Sequence, residues 1–564
     1  MKRLLIVLLF YMFLNPSSSL GEDLHERQLK RGLRNSDTYA CMLINKPPVD
    51  REEKITELKK AVMLSPDLPE AYFALAAAGF SFKVQDILDS IGNLVEGVNA
   101  FSRNFRLSFT FTGFIFFCLF LSLLITFAAT AAITLFSDIS LISHDIRETP
   151  STAILLPVLA LISFLSPLLF IAGILVMTGL YFRRKDKAVV YFYLGFLILS
   201  PVLLASASRL VSMASSTGLR AVTQVNESRD NDYALEVLQV NNNFPALFSY
   251  ALALKRTGQY EQAIAAYKSL LERKADPRVL VNLGNCYVGL YNFEEGKKAY
   301  LDEAIGNYSA SLKIRPTAAA YYNLSQLSRE MLAFSQGEEY FKAALKIDRA
   351  AVAAYRSISG RSPNRMVADE TLSTAELWSY PTEKRFKADA FGLSVLPIAA
   401  VAAIALFLLA AFHMMAGRSG HRAYRCRKCR TILCPKCEKY ASWENMCAQC
   451  YNSLVRLDGL DAKERVARIL SIHDRQRRHR NIMKVLSFIL PGAAQIFAGR
   501  VLYGVLFMWP FLFFVLVPPA MGSFALGNQH ITQMILTAAS LCIAAALYSI
   551  FNFVTGKRIS KGWL

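Results

Sequence analysis

Charged residues are scarce in this sequence. Only 19% of its 564 residues are Asp, Glu, Lys or Arg, whereas 54% are hydrophobic, and soluble globular proteins are usually about 25% charged. The apolar residues are concentrated in long blocks instead of being spread along the chain. This shortage of charge excludes an ordinary soluble protein and favours a membrane protein.

The motifs of common enzyme classes are also missing. The chain has no Walker phosphate loop, no Gly-x-Ser-x-Gly elbow and no His-Glu-x-x-His helix, and its seven histidines are scattered. His144 and Asp145, with Asp138 nearby, are best interpreted as a solvated loop. No charged residue lies deep within an apolar run, which argues against an ion pathway. We therefore expect a protein that is not an enzyme.

Six apolar runs are long enough to be considered as membrane spans, because about 20 apolar residues cross the hydrocarbon layer as a helix. The second run contains Pro157 and Pro167 and can fold as a broken or re-entrant segment. The runs are Ser108–Phe136, Ala153–Phe182, Ala188–Ser206, Phe391–Met415, Val485–Pro518 and Ile531–Val554.

The N-terminus and the basic clusters give conflicting orientations. Residues 1–21 have the basic start, apolar core and small residues of a secretory signal peptide, with an uncleaved anchor as the alternative. A cleaved signal followed by three crossings would leave the block Val211–Lys387 in the cytoplasm. The positive-inside rule places that block outside the cytoplasm. We follow the basic clusters, which begin at Arg183, Arg418, Arg475 and Lys557.

A repeat of about 34 residues, the period of the tetratricopeptide (TPR) helix pair, lies in that block. The second unit carries about eight additional residues, which predicts a longer helix. A shorter TPR-like stretch precedes the first span, and Asp232–Val240 can supply its missing helix, so that the membrane runs interrupt one solenoid. The repeat positions are Ala251, Gly258, Tyr260, Ala263 and Tyr267, then Gly284, Tyr287 and Phe293, then Ala320, Tyr321, Leu324, Phe334, Phe341 and Ala344.

Polar residues three apart share a helix face in two of the repeats. Asn282 and Asn285 form such a pair in the second repeat, and Asn323 and Gln326 form the matching pair in the third. We predict that these amides line a groove and hydrogen-bond the backbone of an extended peptide from a partner protein. The alternative is a set of solvated polar residues.

Six cysteines fall within 25 residues, in three C-x2-C pairs. Two such pairs can direct four thiolates at one tetrahedral zinc ion, which would be structural because no coordination position is open. The first and third pairs have zinc-ribbon spacing, and the second and third are an alternative set. Disulfides and an iron–sulfur cluster are less favoured. The predicted metal ligands are Cys426, Cys429, Cys434, Cys437, Cys447 and Cys450.

The stretch Arg418–Lys484 holds 17 Lys/Arg against 6 Asp/Glu. Its position between apolar runs favours contact with anionic lipid over nucleic acid. Asp461–His479 is predicted to lie along the headgroups with Val466, Ile469 and Leu470 facing the lipid.

The predicted fold is therefore all-α, a polytopic membrane protein with a TPR α-solenoid and a zinc-ribbon-like module. The predicted segments are a signal peptide (1–21), a TPR-like segment (22–86), a membrane block (108–206), a TPR domain (229–360), a transmembrane helix (391–415), the zinc-ribbon-like module (421–455), a basic amphipathic helix (461–480) and a C-terminal transmembrane pair (485–554).

This order of segments resembles an uncharacterised group of TPR membrane proteins from deltaproteobacteria of the Geobacter type. The resemblance is carried by the three C-x2-C pairs, by His144-Asp145, by Tyr181-Phe-Arg-Arg184 and by Leu490-Pro-Gly-Ala-Ala-Gln-Ile-Phe-Ala-Gly499. Ala494 replaces a glycine that is usual in the group. No established activity accompanies the group, so the resemblance implies architecture and location only.

Two functions remain open at this point. The first is a membrane scaffold that binds a partner protein through its TPR groove, with the zinc module across the membrane. The second is a transport or envelope-biogenesis component that handles a lipid or an exported chain.

Overall fold

Helices make up most of the structure. The computed structural model describes residues 20–47, 50–148, 166–229, 233–294, 296–358, 366–382, 395–417, 423–426, 428–434, 441–443, 446–455, 462–523 and 530–560. The strands within these ranges are short and flank the cysteines. The predicted all-α fold is confirmed. The predicted signal peptide lies outside the described residues, apart from its last two positions.

The elements follow the chain in this order. The first part contains α1 Leu20–Lys30, α2 Asp37–Asn45, α3 Arg51–Leu64, α4 Pro69–Gly79, α5 Val84–Arg103, α6 Phe105–Glu148, α7 Pro167–Gly179 and α8 Ala188–Ala214. The central part contains α9 Thr217–Asn226, α10 Ala234–Gln239, α11 Phe244–Arg256, α12 Tyr260–Arg273, α13 Pro277–Phe293, α14 Lys298–Ile314, α15 Ala318–Glu330, α16 Phe334–Ile347, α17 Arg349–Ile358 and α18 Thr374–Trp378. The last part contains α19 Ile398–Ala416, β1 Tyr424–Arg425, β2 Ile432–Leu433, β3 Ala441–Trp443, β4 Met446–Cys447, α20 Ala448–Leu454, α21 Ala462–Ile489, α22 Ala493–Phe497, α23 Val501–Ser523 and α24 His530–Ser560.

Two compact units share the chain. The first comprises residues 1–111, 212–384 and 526–532, and the second comprises residues 112–211, 385–525 and 533–564. The first unit is thus assembled from pieces on either side of the first membrane block. Within it, Arg34 and Asn35 donate backbone N–H groups to the carbonyl of Ser228 at 2.9 and 3.1 Å. This contact supports the interpretation that membrane helices interrupt one solenoid.

The three repeats of the first unit are the helix pairs α11/α12, α13/α14 and α15/α16. Each first helix has a polar N-cap whose side chain accepts a backbone N–H, namely Asn243, Asp276 and Thr317. The extra residues of the second repeat are divided between its two helices, since α13 and α14 have 17 residues each. The single longer helix that the sequence predicted is therefore replaced by a modest lengthening of both helices.

The partner of α4 differs from the prediction. It packs against α5, and the Asp232–Val240 region does not supply the missing helix. A close approach makes this pairing specific, because a Cβ atom at Gly97 would lie 2.5 Å from the Phe73 ring. The sequence does not indicate this pairing, because α5 also carries apolar side chains on its exposed outer face, and they hide which face packs against α4.

Five described helices are long and apolar enough to cross a membrane, which indicates a membrane protein: α6, α8, α19, α23 and α24. Residues 153–165 of the second predicted run lie outside the described residues, and the rest of that run contains the 13-residue helix α7. His144, Asp145 and Asp138 belong to α6, so their interpretation as a loop was wrong.

The fifth predicted run is also interrupted. Its span begins at Val501 rather than Val485, because Pro491 and Gly492 end α21 and lead into the short helix α22. Gly492 has a φ of +92°, and a Cβ atom there would lie 2.2 Å from the Gly504 carbonyl oxygen. Only glycine allows this approach of two backbones.

Small hydroxyl residues line one face of α6 in the second unit. Thr126, Thr130 and Thr134 each donate a hydrogen bond to the carbonyl four residues earlier, and Thr134 also donates to the hydroxyl of Thr178 at 3.3 Å. The Trp509 indole donates to the hydroxyl of Ser122 at 3.1 Å. Such contacts satisfy polar groups between membrane helices.

Adding a methyl group at Gly284 should destabilise the repeats. A Cβ atom there would lie 2.6 Å from the buried Tyr308 ring, and overpacking of this kind costs about 1–3 kcal/mol. Thermal unfolding of the detergent-solubilised Gly284→Ala chain, followed by circular dichroism, should show a lower midpoint. Gly306→Ala on the exposed face of α14 is the control, because nothing lies within 4 Å of its Cβ position. An equal midpoint for both variants would contradict the packing described here.

Candidate functional site in the repeat groove and candidate metal centre

The first helices of the repeats, together with α9, place four asparagines around one groove. Asn282, Asn285 and Asn323 are all fully buried, and Asn226 is half-buried. Gln326, the fourth residue predicted for this surface, is half-buried on α15. Asn226 was missed by the sequence analysis because it precedes the first recognisable repeat.

Met366–Leu372 of the same chain occupies this groove, and its residues from Ala368 onward lie outside any helix. We call it the groove segment. Its Val367, Ala368 and Leu372 side chains are buried. Asn282, Asn285 and Asn323 thus hydrogen-bond the backbone of a segment of the protein itself. Binding of a separate partner stays a prediction.

Three asparagines grip the main chain of the groove segment at alternate residues. Asn323 accepts the N–H of Ala368 at 2.7 Å and donates to its carbonyl at 3.0 Å. Asn282 makes the same pair of bonds with Glu370, both at 2.9 Å. Both groups of Leu372 are bonded in this way by Asn226, at 2.6 and 3.1 Å. A period of two residues is that of an extended strand. We call the bonds of Asn226, Asn282 and Asn323 the asparagine ladder, and it recognises the backbone of the segment rather than its side chains.

Asn285 holds the ladder together. It donates to the Ala368 carbonyl and to the Asp369 carboxylate, both at 2.9 Å. Its own oxygen accepts from the Tyr308 hydroxyl at 2.7 Å and from Asn323 at 2.8 Å. Because every polar atom of this side chain is bonded, its orientation is fixed.

Asp369 supplies the charge at the centre of the segment. Its carboxylate lies 2.8 Å from the Lys255 ammonium and 3.5 Å from the Arg256 guanidinium, and Lys255 is fully buried. Burial raises the pKa of Asp369, but the two cations and the Lys255 and Asn285 hydrogen bonds outweigh it, and the pKa falls below its ordinary value. Lys255, Arg256 and Asp369 were not identified from the sequence, where nothing marks them as facing one another.

A second acidic residue anchors the chain just after the segment. Glu376 and Ser373 form a capping box at the start of α18, and Arg278 binds the Glu376 carboxylate with both terminal nitrogens at 2.6 and 2.9 Å. The hydrogen bonds from Arg278 lower the pKa of Glu376 to about 2. Because the folded state lowers this pKa, the pairing with Arg278 stabilises the folded state at pH values above the ordinary pKa of a glutamate. The stabilisation is lost as the pH falls through about 2.

The candidate metal centre lies in the second unit. The antiparallel hairpins β1/β2 and β3/β4 bring Cys426, Cys429, Cys447 and Cys450 together, with all sulfur atoms within 4.8 Å of one another and all four residues buried. These are the first and third C-x2-C pairs. Cysteine thiolates in such an arrangement can hold a metal ion.

The surroundings of the thiols in this cluster shift their pKa values in opposite directions. Burial raises the pKa of Cys426. Hydrogen bonds from the backbone N–H groups of Cys447, Cys429 and Lys428 outweigh this effect and lower the pKa to about 6. Burial and the neighbouring sulfurs raise the pKa of Cys450. Several thiolates can coexist here only with a compensating positive charge, which a divalent ion would supply.

Cys434 lies apart from the four-cysteine cluster. Its sulfur is within 4.8 Å of ligand atoms of His144 and Asp145 at the end of α6, and Tyr181 donates to the Asp145 carboxylate at 2.7 Å. The set made from the second and third pairs is therefore not the one the structure assembles. Cys437 lies outside the described residues.

Removing one thiol should release the metal. We expect purified Cys447→Ser protein to contain at least one metal equivalent less per chain than the wild type, because three thiolates bind zinc far more weakly than four. Elemental analysis of the detergent-solubilised protein measures this. Cys542→Ser, which changes an exposed thiol of α24, should keep the full complement. Wild-type protein that purifies without metal would contradict the prediction.

Comparison with known protein families identifies one region. Residues 220–328 match the family model Tetratricopeptide Repeats-Sensor, and this match includes Asn226, Lys255, Asn282, Asn285 and Asn323 but ends before the groove segment. No curated protein matches the chain. The central part of the first unit is thus a TPR-related domain.

Proposed function

We propose that this chain is a membrane-anchored adaptor that is not an enzyme and that binds a partner protein through its TPR groove. The carrying observation is the asparagine ladder, which bonds both main-chain groups of Ala368, Glu370 and Leu372. A surface that satisfies the backbone of an extended peptide is suited to holding one. TPR-related domains generally mediate contacts between proteins.

The cysteine module has a supporting role in this proposal. Four buried thiolates would close the coordination sphere of a zinc ion and leave no position for a substrate. The adjacent helix α21 exposes Val466, Ile469 and Leu470, together with several arginines. This combination suits contact with anionic lipid headgroups.

Contacts within the first unit support a topology for the adaptor. The Glu70 carboxylate of α4 accepts the backbone N–H groups of Ile531 and Thr532 at 2.6 and 3.0 Å. This contact supports placing the start of α24 on the same side of the membrane as α4 and the repeats. The chain leaves that side through α6 and returns to it through α8. It leaves again through α19 and returns through α23.

The same number of membrane crossings is consistent with both the basic clusters and the predicted signal peptide. The clusters at Arg183, Arg418 and Lys557 then all lie on the opposite side from the repeats, which the positive-inside rule assigns to the cytoplasm. With two crossings in the first block instead of three, a secretory signal and the positive-inside rule agree. We place the repeats in the periplasm and the cysteine module in the cytoplasm of a bacterial inner membrane.

Alkaline phosphatase fusions test this topology, because the enzyme is active only outside the cytoplasm. Fusions after Gly258 and after Gly527 should be active, and a fusion after Gly459 should be inactive. The fusion after Gly527 is the sharpest, since it reports whether α23 returns the chain to the side of the repeats. Activity after Gly459 with none after Gly258 would overturn the assignment.

Site-specific photo-crosslinking in cells tests the adaptor role. A photoreactive residue in place of Gln326 at the groove should capture a discrete partner protein, whereas the same residue in place of the exposed Lys268 on α12 should not. Changing Asn282 and Asn323 to Ala should abolish the capture, because each removes two bonds to the partner's backbone. Equal capture at both positions, or lipid as the only captured molecule, would contradict the proposal.

A further inference from the structure

The groove segment is the feature with the widest consequence. We propose that Met366–Leu372 is a built-in occupant that a partner displaces, and that this partner presents an extended acidic peptide with an aspartate at the position of Asp369. The inference rests on the proposed adaptor function and deepens it, since it states what the groove selects and what it must release.

The hydrogen bonds of the ladder make an exchange feasible. The bonds from Asn226, Asn282 and Asn323 go to main-chain groups of alternate residues. Any extended peptide presents the same groups at the same spacing. A partner can therefore replace each bond, and no buried amide of the groove is left unsatisfied.

The charged pocket determines which peptide fits. Lys255 is fully buried and Arg256 nearly so, and both face the Asp369 carboxylate. A peptide without an acid there would leave a buried ammonium unpaired, which is strongly unfavourable. Asn285 donates to the same carboxylate at 2.9 Å, so the pocket provides both charge and direction. An uncharged residue at this position should be excluded.

The neighbouring positions narrow the choice further. Ala368 and Val367 are each 3% exposed and pack into the core of the second and third repeats. Burial raises the pKa of Glu370 despite the Thr317 hydrogen bond and the nearby Arg278 and Arg315, so this position favours an acid less strongly than the next one toward the N-terminus. The selected pattern is a small apolar residue followed by aspartate.

Because the occupant belongs to the same chain, it competes at a high effective concentration. A partner peptide then binds with an apparent affinity reduced by the fraction of open grooves. Weakening the occupant alone should raise the affinity for a peptide added in trans. A permanent structural segment would behave differently, since weakening it would expose no usable site.

The test uses the full-length chain in detergent and a labelled synthetic peptide with the sequence of residues 366–373. Fluorescence anisotropy should show that Asp369→Asn protein binds this peptide at least about tenfold more tightly than wild type, because its own segment can no longer pair with Lys255. A peptide with asparagine in place of the aspartate should bind neither protein. The control Asp302→Asn, an exposed acid on α14, should match wild type.

Hydrogen exchange on the wild-type protein provides a second measurement that requires no variant. Excess peptide should accelerate exchange of the amides of Ala368, Glu370 and Leu372 in the chain, since displacement exposes them to water. The proposal is overturned if these amides stay protected at saturating peptide. It is also overturned if folded Asp369→Asn protein binds the peptide no better than wild type.

These outcomes separate this inference from the adaptor function. If the peptide fails to bind while the photoreactive residue at Gln326 still captures a partner, the groove segment is a fixed part of the fold and the partner uses another surface near it. If the peptide binds but no partner is captured, the groove chemistry stands and the adaptor role does not.

Discussion

A polypeptide cannot bury an unbonded N–H or carbonyl group without a large loss of free energy, and this constraint governs both units of the protein. In the second unit, the apolar helices meet it by bonding within themselves, as spans in lipid must. In the groove the backbone is extended and cannot bond within itself. Asn226, Asn282 and Asn323 supply the missing partners from side chains. The ladder is thus what allows an extended strand to lie inside a helical solenoid.

The buried ion pair sets the register of that strand. Main-chain bonds alone would accept the segment shifted by two residues, because the ladder repeats with that period. Asp369 removes this ambiguity, since only one register places its carboxylate against Lys255. The neutral asparagine amides therefore select an extended backbone, and the charge of Lys255 fixes which residue of the segment lies beside it.

Much of the fold was predictable because periodicity and long apolar runs are local signals. The repeats, the paired cysteines and four of the spans depend on residues close in sequence. The Pro491–Gly492 break was missed because it lies inside an apolar run, and the pairing of the thiols was left open because spacing alone fits two sets. The groove was predicted in its chemistry from Asn282 and Asn323. Its occupant was not predicted, because the bonded residues are far apart in sequence and carry no periodic pattern. Ala368 lies 45 positions from Asn323, and Glu370 lies 88 positions from Asn282.

The contact between Glu70 and the start of α24 has a consequence for how the protein is made. Glu70 lies in α4, and Thr532 lies near the start of α24, 462 positions later in the sequence. Glu70 is 2% exposed in the folded structure, so during synthesis its carboxylate must stay hydrated until α24 has been made. The first unit is then completed only after the start of α24 reaches it. A chain that stops before α24 would leave this acid without its backbone partners and would uncover the part of α4 against which Ile531 packs.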